Sequence, residues 1–185
     1  MISRKTTKEI FAESLHELAS QKPVDKITVQ NIVDNCDFSV ATFYRHFQDK
    51  YDLIAWDYAQ KRSANIQRLY TEGYTTKQMI VEGLTGLKNH KVYMTNLLKN
   101  TSGHESFVRY MVDTNIQLIT ERIRKVGNFE TLPEDLLLFV KIDCYGKIMT
   151  LCEWIIEDCS TPVELLADVF MQSMPERLRL YLERE

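Results

Sequence analysis

Glycine and proline are scarce in this chain, at six and four among 185 residues. Few positions therefore break a helix or call for a left-handed turn, and long uninterrupted helices are expected. No apolar run approaches the roughly 20 residues needed to cross a bilayer, which excludes a spanning segment. The opening stretch, MISRKTTKEIFAESLHEL, is amphipathic and carries acidic residues, unlike a signal or transit peptide, so a cytoplasmic location is expected. The four cysteines (Cys36, Cys144, Cys152, Cys159) form no CxxC pair and share no histidine spacing, so a structural zinc site is not expected. Three of them lie in one apolar segment and read as buried thiols, with redox sensing as the alternative. His16, His46, His90 and His104 are scattered. With no nucleophile–base pairing, metal-ligand spacing or phosphate loop, the sequence offers no catalytic residues, no metal and no cofactor, and an enzyme is not expected.

Charge is the second shortage. The formal net charge is −3, which on average argues against a nucleic-acid partner. The deficit is unevenly placed. Residues 1–50 hold seven Lys/Arg against seven Asp/Glu, and the remainder sixteen against nineteen. Binding DNA needs a local cationic surface rather than a basic average. Glu9, Glu13 and Glu17 share one side of the first helical stretch, a side that can face away from phosphates.

What the chain does have is helical periodicity. Ile10, Phe11, Leu15 and Leu18 give an apolar stripe over about Ser3–Gln21, closed by Lys22-Pro23. Val24 and Ile27, in the linker that follows, are expected beneath the next helix. Thr28 caps a helix through Asn35 that buries Ile32 and Val33, and Cys36-Asp37-Phe38 makes a turn. Ser39 then caps a third helix through about Phe47. Asp49 caps a fourth, from Lys50 to about Tyr70. Further helices are expected over about Lys77–His90, Lys91–Asn100, His104–Val126, Glu134–Asp158 (with Pro133 near its first turn) and Val163–Glu183. No segment alternates as a half-buried strand does. The expectation is all-α, about nine helices.

The third helix carries the chemistry. Phe43 and Phe47 fall on one face, while Thr42, Tyr44, Arg45 and His46 point away, an apolar anchor under a polar ridge as a major-groove helix requires. Val40 and Ala41, in its first turn, can meet thymine methyls, and Thr42 a base edge or a phosphate. Tyr44 and His46 suit phosphate contacts. Lys50 adds its charge at the start of the fourth helix, and Thr28 stands similarly at the start of the second. The turn residue Asp37 is one of the few non-glycines that tolerate a left-handed backbone. Taken singly, Tyr44 reads as a packing residue, His46 as an interhelical one, Ser39 and Thr28 as caps, and Lys50 as a solvated lysine. The specificity lies in their combination.

That combination resembles the DNA-binding domain of the TetR family of bacterial transcriptional regulators. The likeness is carried by Ile27-Thr28-Val29, Ile32-Val33, Phe38-Ser39, Thr42-Phe43-Tyr44, His46-Phe47 and Lys50 with Asp52-Leu53, over roughly the first 55 residues. It implies a three-helix helix-turn-helix DNA-binding head over 1–48 on a helical ligand-binding and dimerisation body over 49–185, with DNA contacts at Thr28, Gln30, Val40, Ala41, Thr42, Tyr44, His46 and Lys50 and Ser39 capping the reading helix beside them. Two positions depart from the family pattern: Asp37 stands for the usual turn glycine and Cys36 for a small alanine-like residue. Tyr145-Gly146-Lys147-Ile148 through Trp154-Ile155-Ile156-Glu157, with Thr161-Pro162-Val163-Glu164-Leu165, is similar to a Firmicutes-type subgroup that includes regulators like the dihydroxyacetone kinase activator.

The family likeness further implies a homodimer through the last two long helices. Leu136, Phe139, Val140, Ile148, Leu151, Ile155, Leu166, Val169 and Phe170 are the pool for both core and interface. A two-fold dimer implies a pseudo-palindromic operator. A small-molecule effector, if there is one, is expected among Trp56, Tyr93, Met94, Phe107, Tyr110, Met111, Tyr145 and Met149, each of which singly reads as core. The expected function is a DNA-binding regulator, commonly a repressor of nearby genes in this family. The alternative is a co-regulator or protein-interaction module that kept the head and lost operator binding.

Overall fold

The computed structural model describes residues 5–71, 73–103 and 106–183. Among them are ten α-helices, one short 3-10 turn and no strand: α1 Thr7–Ala19, the turn Val24–Lys26, α2 Val29–Asp34, α3 Val40–Tyr44, α4 Lys50–Thr71, α5 Thr76–Asn89, α6 Lys91–Asn100, α7 Phe107–Gly127, α8 Glu134–Ile156, α9 Val163–Gln172 and α10 Glu176–Leu182. The all-α expectation holds. The start expected at Ser3 and the His104 start of α7 lie outside the described residues. The last expected helix is two: Pro175, itself the cap of α10, lacks the N–H that would continue α9. Arg179 then donates to the carbonyls of Met171 (3.0 Å) and Gln172 (3.3 Å), closing the end of α9. The end expected for α8, Asp158, falls two residues beyond the observed one, where Asp158 and Cys159 turn left-handed.

The described residues form two compact units. One comprises those within Met1–Gln60 and Val92–Phe107, the other those within Lys61–Lys91 and Val108–Glu185. The first is larger than the segment 1–48, since it takes in α4 as far as Gln60 and nearly all of α6.

Phe11 is the centre of the first unit. It is fully buried, with its ring 5.2 Å from both Phe38 and Phe43, and Phe43 continues to Phe47 at 5.7 Å. Val24, Ile27, Ile32 and Val33 are buried as their spacing requires. Rings of this size bury roughly 150–250 Å² each, so the buried rings of Phe11, Phe43 and Phe47 dominate the cohesion of so small a core. Caps fix the helix starts. Thr6 and Glu9 form a capping box on α1, and Thr28 and Asn31 do so on α2. Asp49 Oδ1 accepts from the amides of Tyr51 (2.8 Å) and Asp52 (2.9 Å) at the start of α4.

In the second unit Ile123, Leu136, Val140, Cys144, Met174 and Leu178 make a buried cluster, flanked by Phe129, Phe139 and Tyr181. α7 ends at Gly127, where a side chain would meet the Phe129 ring; Asn128 turns left-handed (φ 52°) and the Phe129 amide donates back to the Arg124 carbonyl (3.0 Å). Three cysteines are buried here as expected. Burial, helped by Asp143, pushes the Cys144 thiol up to about 12, and burial with Glu153 pushes Cys152 to about 11.

Candidate nucleic-acid interface

The turn between α2 and α3 is tight. Asp37 adopts φ 58°, and the Phe38 amide donates to the Val33 carbonyl (3.0 Å). The neighbouring Cys36 thiol donates to the Ile32 carbonyl (3.1 Å), so cysteine at this position ends α2 with its own hydrogen bond. Ser39 caps α3 by accepting from the Thr42 amide (3.1 Å). The helix is shorter than expected by its regular bounds, yet Phe47 N–H still reaches the Phe43 carbonyl (3.0 Å), so one further turn follows Tyr44.

Phe43 and Phe47 are buried and the ridge above them is open. Ala41, Tyr44, Arg45 and His46 are exposed, and Val40 and Thr42 half-buried. Tyr44 leans edge-on against Phe43 (5.8 Å) and still exposes 57% of its surface. The Thr42 hydroxyl lies 2.9 Å from Ser39 Oγ and accepts from Arg45 Nη2 (2.9 Å). Arg45, placed on this ridge by the sequence but left out of the expected contacts, is its cation. On α2, Thr28 and Gln30 are exposed. Thr28 Oγ accepts from the Asn31 amide (3.1 Å), and Gln30 donates to Asp34 (2.6 Å).

Several other cations of this unit are engaged within it. Lys5 pairs with Glu13 (2.7 Å) and Lys26 with Asp25 (3.0 Å). Lys8 sits over the rings of Phe47 (5.2 Å) and Trp56 (5.5 Å). Lys50 donates to the carbonyls of Val24 (2.8 Å), Asp25 (2.9 Å) and Ile27 (2.7 Å).

The residues expected around an effector divide between the units. In the first, Tyr93 packs at a tilt against His16 (4.1 Å), while Phe107 meets Tyr58 (5.5 Å) and Trp56 meets Phe47 (5.7 Å) edge to face, with Met94 buried. Burial, reinforced by Asp57, holds the Tyr93 hydroxyl well above its usual pKa. In the second, Met111 is buried and Tyr110 half-buried, whereas Tyr145 and Met149 stand exposed on α8.

A short capped helix, buried on its aromatic side and open on a polar, cationic ridge, after a tight turn from a second capped helix, defines a helix-turn-helix DNA-binding protein. Residues 12–55 match the family of bacterial regulatory proteins described as the tetR family. Residues 12–55 thus form a tetR-type helix-turn-helix, a DNA-binding module. Comparison by sequence with curated proteins finds no match. Among solved structures, the dihydroxyacetone kinase operon activator DhaS aligns with a TM-score of 0.66 and 14% identity, covering 96% of this chain and 98% of that one. RolR, solved without ligand, aligns at 0.52 and 14%, covering 95% and 97%. At such identity the likeness is one of fold. Among the described residues no helix is long and apolar enough to cross a membrane.

Proposed function

We propose that the chain is a homodimeric repressor of nearby genes that reads a pseudo-palindromic operator and is modulated by a small-molecule effector. The supporting observation is the outer face of α8. Leu138, Ile142, Tyr145, Met149 and Ile156 are all exposed, and their spacing of three, four and seven places them on one stripe. Leu165 and Val169, one turn apart on α9, are exposed too. Seven large apolar side chains on two neighbouring helices exceed what a lone soluble surface normally carries. A second copy covers such a stripe symmetrically, and a two-fold dimer suits two half-sites in successive major grooves, whose spacing is roughly 34–36 Å. Most of this face lies outside the pool named from the sequence: Leu136, Val140, Ile148, Leu151, Ile155, Leu166 and Phe170 are buried in their own unit, and only Val169 is exposed.

In this reading the segment 1–48 contacts DNA and 49–185 carries dimerisation and effector binding. Ser39, Val40, Ala41, Thr42 and Arg45 face the bases, while Thr28, Gln30, Tyr44 and His46 hold the backbone. An effector acts by fitting one spacing of the two heads better than another. The test is a gel shift on the chain's own upstream region at several salt concentrations. A specific, salt-sensitive shift that Tyr44→Ala abolishes in a folded protein supports the proposal. No shift with either protein would leave the co-regulator alternative standing. Transcription from the shifted promoter, with and without the protein, distinguishes repression from activation.

A further inference from the structure

The linker between α1 and α2 is held from two sides. From α6, Asn96 Nδ2 donates to the carbonyls of Ala19 (2.7 Å) and Lys22 (2.8 Å), and its Oδ1 accepts from the Val24 amide (2.8 Å) and from Asn100 Nδ2 (2.9 Å). From the first turn of α4, Lys50 Nζ donates to Val24, Asp25 and Ile27 carbonyls, all within 2.9 Å. An asparagine amide has two protons and two lone pairs, and an ammonium has three protons. Every one of these is used. Val24, fully buried, is gripped by its N–H from α6 and by its C=O from α4. Ala19 ends α1, so Asn96 also supplies one of the donors that a helix C-terminus lacks.

We infer that Asn96 and Lys50 are positioning residues of the DNA-binding head, a two-sided clamp that fixes where the chain enters α2. Thr28 follows Ile27 directly, so the clamp sets the start of α2, which packs against α3. Lys50 is then a brace, its protons spent on three carbonyls rather than offered to a phosphate. Asn96 lies 65 residues beyond the cap partner Asn31 in sequence, which is why the helix-turn-helix motif does not contain it.

The inference rests on the DNA-binding reading, so one arm of its test uses no DNA. In the full chain, Asn96→Ala, Asn96→Asp and Lys50→Met are compared with the unaltered protein by amide hydrogen exchange. Asn96→Ala is expected to speed exchange at Val24 about tenfold or more, with exchange in α8 unchanged. Asn96→Asp keeps the acceptor for Val24 and loses both donors, so it gives a smaller increase and a readout if the alanine variant does not fold. The second arm measures affinity against salt for a duplex selected from a random library by the unaltered protein. Losing a phosphate contact lowers the slope of log K against log salt by about one. A lost brace weakens binding about tenfold at every salt concentration and leaves the slope as it was. Lys50→Met that lowers the slope while linker exchange stays the same makes Lys50 a phosphate ligand and overturns the clamp. Unchanged exchange and affinity in Asn96→Ala overturn it equally. If the unaltered protein selects no duplex, the regulator reading fails and the exchange arm alone decides the clamp.

Discussion

The two open faces of this chain, on α3 and on α8, differ in the chemistry they leave exposed. On α3 the exposed residues are a small alanine, a tyrosine, an arginine and a histidine over a buried aromatic anchor. On α8 they are leucine, isoleucine, tyrosine and methionine, backed by an equally apolar buried face. A polar ridge is stable in water by itself and waits for a polyanion. An apolar stripe is not content in water, and its natural complement is another apolar surface. One chain thus carries a surface suited to a transient partner and a surface suited to a permanent one.

The sharpest way to break that contrast is to make α8 resemble α3. Ile142, the most exposed member of its stripe at 68%, is expected to tolerate Ile142→Asp in its own fold, because no buried contact is lost. Sedimentation equilibrium should then show a monomer. Operator affinity should fall on the order of 100-fold or more, because two half-sites are no longer bound together. A variant that remains dimeric would move the interface elsewhere.

The second pair of predictions separates the anchor from the ridge on α3. Phe43→Ala empties a fully buried ring site and should cost about 3–5 kcal/mol of stability by urea unfolding. Tyr44→Ala, one residue along and 57% exposed, should leave the unfolding midpoint nearly unmoved. Its operator affinity should nevertheless drop about 10-fold to 100-fold, the worth of a hydrogen bond to a charged oxygen. Equal effects of the two variants on stability would mean that Tyr44 is a packing residue after all.

The same contrast explains how much could be read beforehand. The head was legible because its interactions are local: caps three residues apart, a left-handed aspartate, and aromatic residues four apart. The α8 face was not, because apolar residues recur on more than one side of that helix and periodicity cannot say which side turns inward. Leu136, Val140 and Ile148 went in, while Leu138, Ile142 and Met149 stayed out. Tyr145 and Met149, expected near an effector, share this open stripe for the same reason. The single helix expected over Val163–Glu183 missed the break at Pro175, although its signal is simple chemistry, a proline within an otherwise continuous helical pattern. Asn96 was illegible in principle, since nothing in a local pattern pairs α6 with the end of α1.

A smaller effect distinguishes the thiols of the two units. Cys36 is partly accessible and its pKa is raised by burial, whereas Cys144 is pushed up to about 12 and Cys152 to about 11. Each folded value lies above the ordinary value of 9.0. Below about pH 9 the thiols are protonated in both states and their contribution is intact. As pH rises from about 9 towards 11 and 12 the unfolded chain releases protons that the folded chain keeps, so stability declines. Urea midpoints measured from pH 8 to 11 should fall, and fall less in Cys144→Ala with Cys152→Ala. Iodoacetamide at pH 8.5 should modify Cys36 well before either of the others.

The smallest effect concerns backbone rather than side chain. Asp37 holds φ 58° in the head turn, and Cys159 holds φ 54° after α8. A left-handed non-glycine residue costs roughly 1–2 kcal/mol, less for aspartate. Glycine removes that strain but makes the unfolded chain freer, which offsets part of the gain. At Asp37 the side chain is exposed, so little packing is lost, and Asp37→Gly should gain about 0.5 kcal/mol with a Tm about 2 °C higher. It also removes an anion beside the reading helix, so operator affinity should rise a few-fold at low salt and converge with the unaltered protein as salt increases. At Cys159 the side chain is buried, and Cys159→Gly leaves a cavity whose cost exceeds the relief. Opposite signs at the two positions would show that strain is common to both turns and that burial decides whether relieving it helps. A loss of stability in Asp37→Gly would mean that the aspartate makes an interaction beyond its backbone, and would give the departure from the family's glycine a function of its own.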